Sequence, residues 1–538
     1  MDTCATVCKA WAAAAVSATT SIQYELYQDT AQQKLPGLES WLSLPGQQLT
    51  SLCITHSALW ATGDAQPATA VRHTQVGSLQ LPTSKLARLQ ELTLECVTIK
   101  LAPRSPASTE TVVEQRSLAD AALLLLATAA STVAVPSTAS AACGVHCLLT
   151  ALRRLDLKHC AMDTFEDLVQ LAQSTVLTSL QLDTVSSCRP DDPSGPWPTA
   201  LQKVIAMPHG AALHSLQDLS ITLPSMIDAA DEWPAALPYG LTRLVVSLAD
   251  VRQSAAADQP GVLPTAATSS CFFSSLKYMQ ELQELQLRLC QLDPDLLGCI
   301  SSLRKLQLDR CQLLPGKQAG TRALLEALRG LTQLQDIQFC AQSGCTSGVA
   351  PELFAALTAS AQLTSLEVAP IGGQPLTAGA MRHIFPAGCW KPQLRVLRLR
   401  GAEGGWSVDN RDLHGIAAAC PGLRELDLSC VVKSGSLCAG LQLFPNGRRG
   451  LTRLSLAGDA FGDATVAAVS HLKKLKFLQW YHSSQLSDVG FQYLTSLAAL
   501  TWLRFDGSRP SALSDDLFRG RDNPRDRILR LSDHQVNF

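Results

Sequence analysis

A six-residue pattern of leucines, L-x-x-L-x-L, recurs along the C-terminal half of the chain. Its clearest copies begin at Leu394, Leu423, Leu451, Leu475 and Leu500, and successive copies start 24 to 29 residues apart. In the last two copies an aromatic residue replaces the sixth leucine. The fourth and sixth positions alternate with polar residues, as a half-buried β-strand requires. The pattern therefore predicts one short strand per copy.

An apolar stretch long enough for a helix follows each copy of the pattern. After Trp480, apolar residues recur at roughly helical spacing: Leu486, Val489, Phe491, Leu494 and Leu497. A unit of one strand and one helix cannot bury its apolar side alone, so neighbouring units must stack. The sequence therefore predicts a solenoid with parallel strands.

The N-terminal half carries the same pattern at wider spacing, interrupted by segments rich in Pro, Gly, Ser and Ala that read as surface loops. In total we predict about fifteen strands, whose first leucines are Leu49, Leu89, Leu152, Leu177, Leu216, Leu241, Leu282, Leu303, Leu334, Leu363, Leu394, Leu423, Leu451, Leu475 and Leu500. The predicted domains are an N-terminal helical cap at 1–48, a solenoid at 49–505 with insertions near 101–147, 184–212 and 250–275, and a C-terminal cap or tail at 506–538.

The pattern and its period identify the chain as resembling leucine-rich repeat proteins, whose repeats span roughly 20–29 residues. Six cysteines fall six to eight residues after a repeat's first leucine, where small inward side chains fit the turn out of the strand: Cys96, Cys160, Cys290, Cys311, Cys340 and Cys430. This feature is similar to the cysteine-containing and ribonuclease-inhibitor-like superfamily. The resemblance implies an α/β horseshoe with a parallel concave β-sheet, helices on the convex side, and protein binding on the concave face.

Composition and charge limit the function classes. The chain has 44 basic and 46 acidic residues, for a net charge of −2, which gives no bulk attraction to nucleic acid or to an anionic membrane. It contains 18 cysteines, and its first residues lack the basic start and apolar core of a secretory signal. We therefore expect buried thiols rather than disulfides, and a cytoplasmic or nuclear location. Similar repeat proteins of ciliated unicells suggest the axoneme as a further location.

One apolar stretch, Ala121 to Val135, is a candidate membrane segment. It is shorter than the ~20 strongly apolar residues needed to cross a bilayer and is diluted by Ala, Ser and Thr. A buried repeat helix is the favoured interpretation, so no membrane partner is predicted.

The N-terminal sequence Val7-Cys8-Lys9-Ala10-Trp11 resembles the last helix of an F-box, a domain that often leads into leucine-rich repeats. An F-box also needs preceding helices with a Leu-Pro opening, and nothing in this sequence supplies them. The segment is therefore either an apolar cap or an F-box remnant. The second alternative implies that Val7, Cys8 and Trp11 contact a Skp adaptor, which would make the chain a substrate receptor of an SCF cullin-RING ubiquitin ligase.

Motifs of catalysis are absent from the sequence. There is no phosphate-binding GxxxxGK loop, no zinc-binding HExxH, no GxSxG nucleophile elbow and no kinase signature set. Cys143 and Cys147, with His146 between them and His159 and Cys160 downstream, are the nearest approach to a metal site, but the repeat already explains Cys160. We predict no enzymatic activity, no cofactor and no metal.

The polar positions of the strands are the remaining candidate site. When the leucines point inward, the third, fifth and seventh positions point outward. Aromatic and arginine residues, which are enriched at binding hot spots, cluster there near the C-terminal end: Arg398, Arg400, Arg453, Phe477, Tyr481, Trp502 and Arg504. We predict that they bind a protein partner, with the chain itself monomeric. Two alternatives stay open: the C-terminal cap covers Phe477 and Trp502, or the face holds a small ligand.

Overall fold

In the computed structural model, the residues that can be described lie in the strands, helices and adjoining turns. They are residues 21–26, 49–56, 89–95, 151–158, 161–162, 176–183, 186–187, 215–223, 237–248, 275–313, 317–340, 355–369, 385, 391–399, 408–428, 438–446, 450–457, 462–481 and 487–506. The chain forms two compact units, Met1–Leu282 and Gln283–Phe538. Each is described by itself.

The first unit is built from parallel strands. Its strands are β1 (Ser21–Leu26), β2 (Ser51–His56), β3 (Glu91–Glu95), β4 (Arg154–Lys158), β5 (Ala161–Met162), β6 (Ser179–Asp183), β7 (Ser186–Ser187), β8 (Asp218–Leu223) and β9 (Arg243–Leu248). Strands β5 and β7 form a separate short pair, and the other described strands follow one another in chain order in one sheet. A 3₁₀ turn, Ser275–Tyr278, lies near the end of the unit.

The second unit alternates strands with helices. Its strands are β10 (Glu284–Arg288), β11 (Gln291–Leu292), β12 (Lys305–Asp309), β13 (Gln312–Leu313), β14 (Asp336–Cys340), β15 (Ser365–Val368), β16 (Val396–Leu399), β17 (Glu425–Leu428), β18 (Arg453–Ala457), β19 (Phe477–Tyr481) and β20 (Trp502–Asp506). Its helices are α1 (Pro294–Leu297), α2 (Lys317–Gly330), α3 (Asn410–Ala419), α4 (Cys438–Leu441), α5 (Asp463–Val469) and α6 (Asp488–Leu494). Helix α1 packs on α2. Helix α3 packs on α4, α4 on α5, and α5 on α6.

The repeated leucines form the core. Each of the fifteen predicted copies contains a strand that begins two residues after its first leucine, for example β10 at Glu284 after Leu282. The fourth-position residues Leu285, Leu397 and Leu454 are 0% exposed. Burial of a leucine side chain stabilises the fold by roughly 1.5–3 kcal/mol. The predicted α/β leucine-rich repeat solenoid with a parallel sheet is confirmed.

The sheet begins earlier than the sequence pattern predicts. Strand β1 lies inside 1–48, which we expected to be a helical cap, and it pairs in parallel with β2. Ile22 is in register with Leu52, and Tyr24 with Ile54, so the fourth and sixth positions of a repeat are present. Thr19 stands where the first leucine would be, which is why the pattern does not reveal the strand.

Successive strands are locked in register by a hydrogen-bond cluster at their entrances. The carbonyl of Arg153 accepts the backbone N–H of Thr178 at 2.8 Å and that of Ser179 at 3.0 Å. The hydroxyl of Thr178 donates to the same oxygen at 3.0 Å. Thr364 donates in the same way to the carbonyl of Gln335 at 2.9 Å. Threonine at the second position of a repeat therefore satisfies a backbone acceptor of the preceding repeat.

The turns out of β10 and β12 contain the predicted corner cysteines. Leu289 and Arg310, which precede them, adopt left-handed φ angles of 58° and 50°. The thiols of Cys290 and Cys311 are buried and donate to backbone carbonyls, each at 3.2 Å. Burial raises the pKa of Cys290 well above its ordinary value and that of Cys311 to about 12. The prediction of buried thiols is confirmed for these two cysteines, whereas Cys340 is half-buried.

Several sequence predictions fall outside the described residues. These are the Val7 to Trp11 segment, Cys96, the Ala121 to Val135 stretch, Cys143 to Cys147, His159, Cys160, Cys430 and the C-terminal segment from 507 onward. Within the described parts of the chain, no helix is long and apolar enough to cross a membrane. The same parts contain no group of three or more His, Cys, Asp or Glu arranged for a metal ion.

One predicted helix residue is placed differently. The spacing of apolar residues after Trp480 predicts helix α6, and Leu494 and Leu497 are buried as expected. Val489, in contrast, is 53% exposed. It lies in the first turn, next to Ser487, whose hydroxyl caps the helix by accepting the Val489 N–H at 3.2 Å. Val489 therefore contributes its N–H to the cap and leaves its side chain in solvent.

Candidate functional site

The parallel register aligns the polar positions of the second unit into two rows. The third-position row contains Glu284, Lys305, Asp336, Ser365, Val396, Glu425, Arg453, Phe477 and Trp502. The fifth-position row contains Gln286, Gln307, Gln338, Glu367, Arg398, Asp427, Ser455, Gln479 and Arg504. We call the sheet surface that carries both rows the outward face.

Opposite charges meet in register on strands β10 and β12 of this surface and on two strands of the first unit. Three such pairs are Glu284–Lys305 at 2.9 Å, Arg288–Asp309 at 3.3 Å and, in the first unit, Asp218–Arg243 at 2.9 Å. Exposed pairs of this kind each contribute roughly 0–1 kcal/mol to the stability of the fold. Their main effect is therefore to neutralise each other's charge. These groups consequently offer little unsatisfied charge to a partner.

Arg398 holds three strands together at the centre of the outward face. Its Nε donates to Glu425 Oε1 at 2.7 Å, and its Nη1 donates to Glu367 Oε2 at 3.2 Å. The side chains of Glu367 and Glu425 are only 7% and 16% exposed. Gln338 also donates to Glu367 Oε1, at 3.3 Å. We call these four residues the Arg398 bridge.

The hydrogen bonds that Arg398 donates to the two carboxylates are charge-assisted, and they raise the pKa of the arginine. The pKa of Arg398 is raised, and the largest cause is its hydrogen bond to Glu425. Desolvation by burial lowers this pKa, but the contacts with Glu367 raise it further. Both carboxylates thus accept a charge-assisted hydrogen bond from one cation. Arg398 lies on the outward face as predicted, but its guanidinium is already engaged within that face.

Beyond the Arg398 bridge the outward face becomes aromatic. Phe477 and Trp502 are register partners in β19 and β20, and their rings stack with centroids 3.7 Å apart and planes 5° from parallel. The guanidinium carbon of Arg453, on the neighbouring strand β18, lies 4.3 Å from the Phe477 ring centroid. The three side chains form one cation–aromatic–aromatic series, which we call the aromatic stack.

Arg453 keeps most of its hydrogen-bonding capacity. Its side chain is 47% exposed, and its one carboxylate contact among the described residues is Glu425 Oε2 at 4.0 Å. That distance is too long for a good hydrogen bond. A guanidinium carries five N–H donors, so Arg453 presents donors to solvent directly beside two half-buried aromatic rings.

The structure brings together three of the residues predicted from sequence to bind a partner: Arg453, Phe477 and Trp502. Tyr481 and Arg504 lie on the adjoining strands β19 and β20, where only their backbone is described. Arg400, Val7, Cys8 and Trp11 lie outside the described residues.

Sequence reasoning missed the other members of the Arg398 bridge. Glu367 occupies a fifth position and Glu425 an outward third position, and each is an ordinary polar residue on its own strand, so a single repeat does not mark either as a partner of Arg398. The signal in the sequence that could have revealed the bridge is opposite charge at the same position of consecutive repeats. Glu367 and Arg398 occupy the same position in consecutive repeats.

Another aromatic pair, which is more exposed, lies in the first unit and provides a comparison. Tyr239 and Tyr278 meet edge to face at 6.1 Å and are 46% and 53% exposed. The Nζ of Lys277 lies 4.8 Å from the Tyr278 ring centroid. Neither tyrosine is in a strand, so this pair does not belong to the outward face.

The similarities between this chain and known proteins are limited to solved structures. No protein-family model matches the chain, and no curated protein matches it. Among solved structures, an internalin, inlF, from Listeria monocytogenes is 15% identical, with 80% of this chain and 84% of that chain covered and a TM-score of 0.34. The TLR13–ssRNA13 complex is 15% identical, with 88% of this chain covered and a TM-score of 0.42, and the match spans 58% of the TLR13 chain.

Proposed function

We propose that this chain is a non-catalytic protein-interaction scaffold that binds a protein partner on the outward face of its second unit. The observation that carries the proposal is the aromatic stack, because it is where large apolar side chains and an incompletely satisfied cation occur together on that surface. Trp and Arg are enriched among residues that dominate binding energy, since they bury a large area and also offer polar groups.

The position of the aromatic stack supports a binding role. The described ion pairs elsewhere on the outward face neutralise charge between neighbouring strands. Phe477 and Trp502 break this pairing and leave apolar area in a polar surface. Such a patch rimmed by polar residues is typical of an interaction site.

The test uses the full chain with two aromatic residues removed. The Phe477→Ala, Trp502→Ala double variant and the wild type are immobilised and exposed to a native extract, and recovered proteins are quantified by mass spectrometry. We expect at least one protein to be depleted roughly 30-fold or more with the variant, since one hot-spot truncation costs about 2 kcal/mol. Circular dichroism verifies that the variant is folded.

The matched control removes the aromatic pair of the first unit, through Tyr239→Ala with Tyr278→Ala. This control should recover the same proteins as the wild type. Equal recovery by all three chains would refute the outward face as the binding surface.

A second candidate function is that of a substrate receptor in an SCF cullin-RING ubiquitin ligase. It is supported by the resemblance of Val7-Cys8-Lys9-Ala10-Trp11 to the last F-box helix. In the same extract the wild type should then recover a Skp adaptor and a cullin, and Trp11→Ala should lose both while keeping the partners of the outward face. Recovery of partners without Skp or cullin would leave the scaffold function and exclude the ligase.

A further inference from the structure

We propose, resting on the scaffold function above, that the aromatic stack is a docking site for an extended peptide segment in which an Asp or Glu lies two positions from an aromatic or aliphatic residue. Arg453 receives the carboxylate, and the rings of Phe477 and Trp502 receive the apolar side chain. The distribution of donors, acceptors and charge on the outward face carries this inference.

The face offers hydrogen-bond donors at this point and few acceptors. Glu425 Oε1 accepts from Arg398 at 2.7 Å, and Glu367 accepts from both Arg398 and Gln338. The side chains of Glu367 and Glu425 are also largely buried, so both carboxylates are engaged within the Arg398 bridge. Among the cations of the two rows whose side chains the structure describes, Arg453 is the one with donors still available, and its side chain is 47% exposed. A partner completes the site by supplying an acceptor, and a carboxylate matches the planar fork of a guanidinium best.

The net charge around the aromatic stack favours a single carboxylate over a polyanion. On strands β15 to β20 the two rows carry Glu367, Arg398, Glu425, Asp427, Arg453 and Arg504, which is three positive charges against three negative ones, so there is no positively charged track. A nucleic-acid strand needs a positively charged track along its phosphates in addition to stacking aromatics. The aromatic rings alone would suit a nucleobase, but the surrounding charge does not suit its backbone.

The dimensions of the aromatic stack set the spacing of the peptide motif. The guanidinium carbon of Arg453 lies 4.3 Å from the Phe477 ring centroid, and the Phe477 and Trp502 centroids lie 3.7 Å apart. An extended peptide advances roughly 3.3 Å per residue, and residues i and i+2 project to the same side. The acidic and apolar side chains that reach Arg453 and Trp502 together are therefore two positions apart.

The experiment selects peptides on the full-length protein. A phage library displaying random ten-residue peptides is panned on the immobilised wild-type chain, and the enriched peptides are sequenced. We expect an Asp or Glu two positions from Trp, Phe, Tyr, Leu or Ile in the enriched set. A fluorescein-labelled copy of the most enriched peptide is then titrated by fluorescence anisotropy.

A double-mutant cycle tests the pairing itself. Changing the acidic residue of the peptide to its amide should weaken binding about 10-fold or more, and Arg453→Gln should cause a similar loss. Combining both changes should add less than 3-fold, because they remove the same contact. Trp502→Ala should also weaken binding at least 10-fold. The matched control is Arg288→Gln, an outward arginine that is 54% exposed and paired with Asp309, and it should bind as the wild type does.

The other outcomes separate this inference from the scaffold function. Enriched peptides without an acidic residue that still require Phe477 and Trp502 would overturn the peptide chemistry and keep the scaffold. A failure to enrich any peptide would overturn the short-segment site. Displacement of the labelled peptide by an unlabelled twenty-nucleotide oligo-dT at lower concentration than by unlabelled peptide would assign the aromatic stack to nucleic acid. Peptides that bind equally well to the wild type and to the Arg453, Phe477 and Trp502 variants would overturn this site. If the Phe477→Ala, Trp502→Ala variant also recovers every partner from the extract, the scaffold function fails as well.

Discussion

The indole ring of Trp502 stacks on the phenyl ring of Phe477, with the ring centroids 3.7 Å apart and the ring planes 5° from parallel. The two residues are register partners on β19 and β20, and neighbouring parallel strands lie roughly 4.8 Å apart, so the sheet itself brings the rings to stacking distance. Two residues 25 positions apart in the sequence thereby form one apolar surface.

The stack should contribute to stability as well as to binding. We expect Phe477→Ala and Trp502→Ala to be non-additive in the free energy of unfolding, with a coupling of about 1 kcal/mol, because either substitution already removes the ring contact. Urea unfolding of the two single variants and the double variant measures this coupling. The combination of Phe477→Ala with Tyr278→Ala, whose rings lie in different units, should be additive. Additivity within the stacked pair would show that the rings do not stabilise each other.

Removal of Arg398 should destabilise the second unit strongly. Arg398→Leu removes the charged donor of the Glu367 carboxylate, which is 7% exposed, while the neutral donor Gln338 stays in place. We expect a loss of about 2–3 kcal/mol, somewhat below that for breaking a fully buried pair, because the Arg398 side chain is 29% exposed. Adding Glu367→Gln should recover much of the loss in urea unfolding.

The control for Arg398 is an arginine in an exposed ion pair. Arg322 contacts Glu326 one turn along α2 at 3.1 Å, with both side chains more than half exposed. Arg322→Leu should change the free energy of unfolding by no more than about 0.5 kcal/mol. Similar losses at the two positions would contradict the structural role given to the Arg398 bridge.

The buried corner thiols should make stability fall at high pH. An unfolded cysteine loses its proton near pH 8.5, whereas folded Cys311 keeps it up to about pH 12. Between these values the unfolded state binds fewer protons, so the free energy of unfolding decreases as pH rises, by up to about 1.4 kcal/mol per pH unit for this thiol. Below pH 8 the thiol contributes no slope.

Comparison of the wild type with Cys311→Ala isolates this effect, because other titrating groups cancel in the difference. Urea unfolding at pH 8, 9, 10 and 10.5 should show the two stabilities converging as pH rises. Cys290→Ala should behave in the same way, since burial raises the pKa of that thiol too. Curves that stay parallel up to pH 10.5 would show that Cys311 titrates alike in both states.

Cysteine labelling should discriminate between two thiols of one tryptic peptide. Cys290 is buried and Cys299 is exposed, and both lie between the cleavage sites at Arg288 and Arg304. Iodoacetamide applied to the native protein should modify Cys299 and spare Cys290, because a reagent reaches a buried thiol only through opening of the fold. Fragment ions of the single peptide assign the label. Equal modification before any denaturant is added would contradict the corner burial.

Gly440 should not tolerate a methyl group. A Cβ at this position would lie 2.5 Å from Leu413 Cβ on the neighbouring helix, where Gly440 also donates its N–H to Asn410 Oδ1 at 2.8 Å. We expect Gly440→Ala to lower the free energy of unfolding by about 1–3 kcal/mol through overpacking. Gly415→Ala, in helix α3 with no neighbour within 4 Å, should instead be neutral or stabilising by up to about 1 kcal/mol. Calorimetry of the two variants checks the sign of each effect.

Features that depend on one repeat at a time could be predicted from the sequence. Each inward leucine is buried by its own repeat and the next one, so spacing alone locates the fifteen strands and the inward orientation of residues such as Leu426. The same local logic placed Cys290 and Cys311 at buried corners. It failed for β1, because the segment lacks a first leucine although Ile22 and Tyr24 are in register with β2.

The sequence by itself determined the leucine-rich repeat fold and which strand positions face outward, because one strand and one helix cannot bury their leucines unless neighbouring units stack. Tertiary structure alone decided which outward residues meet. Arg398 is engaged by Glu367 and Glu425, whereas Arg453 lies over Phe477 with donors remaining. Both are arginines at outward positions of the same pattern. Their different roles arise from the register of neighbouring strands, which brings together residues that are 24 to 31 positions apart in the sequence.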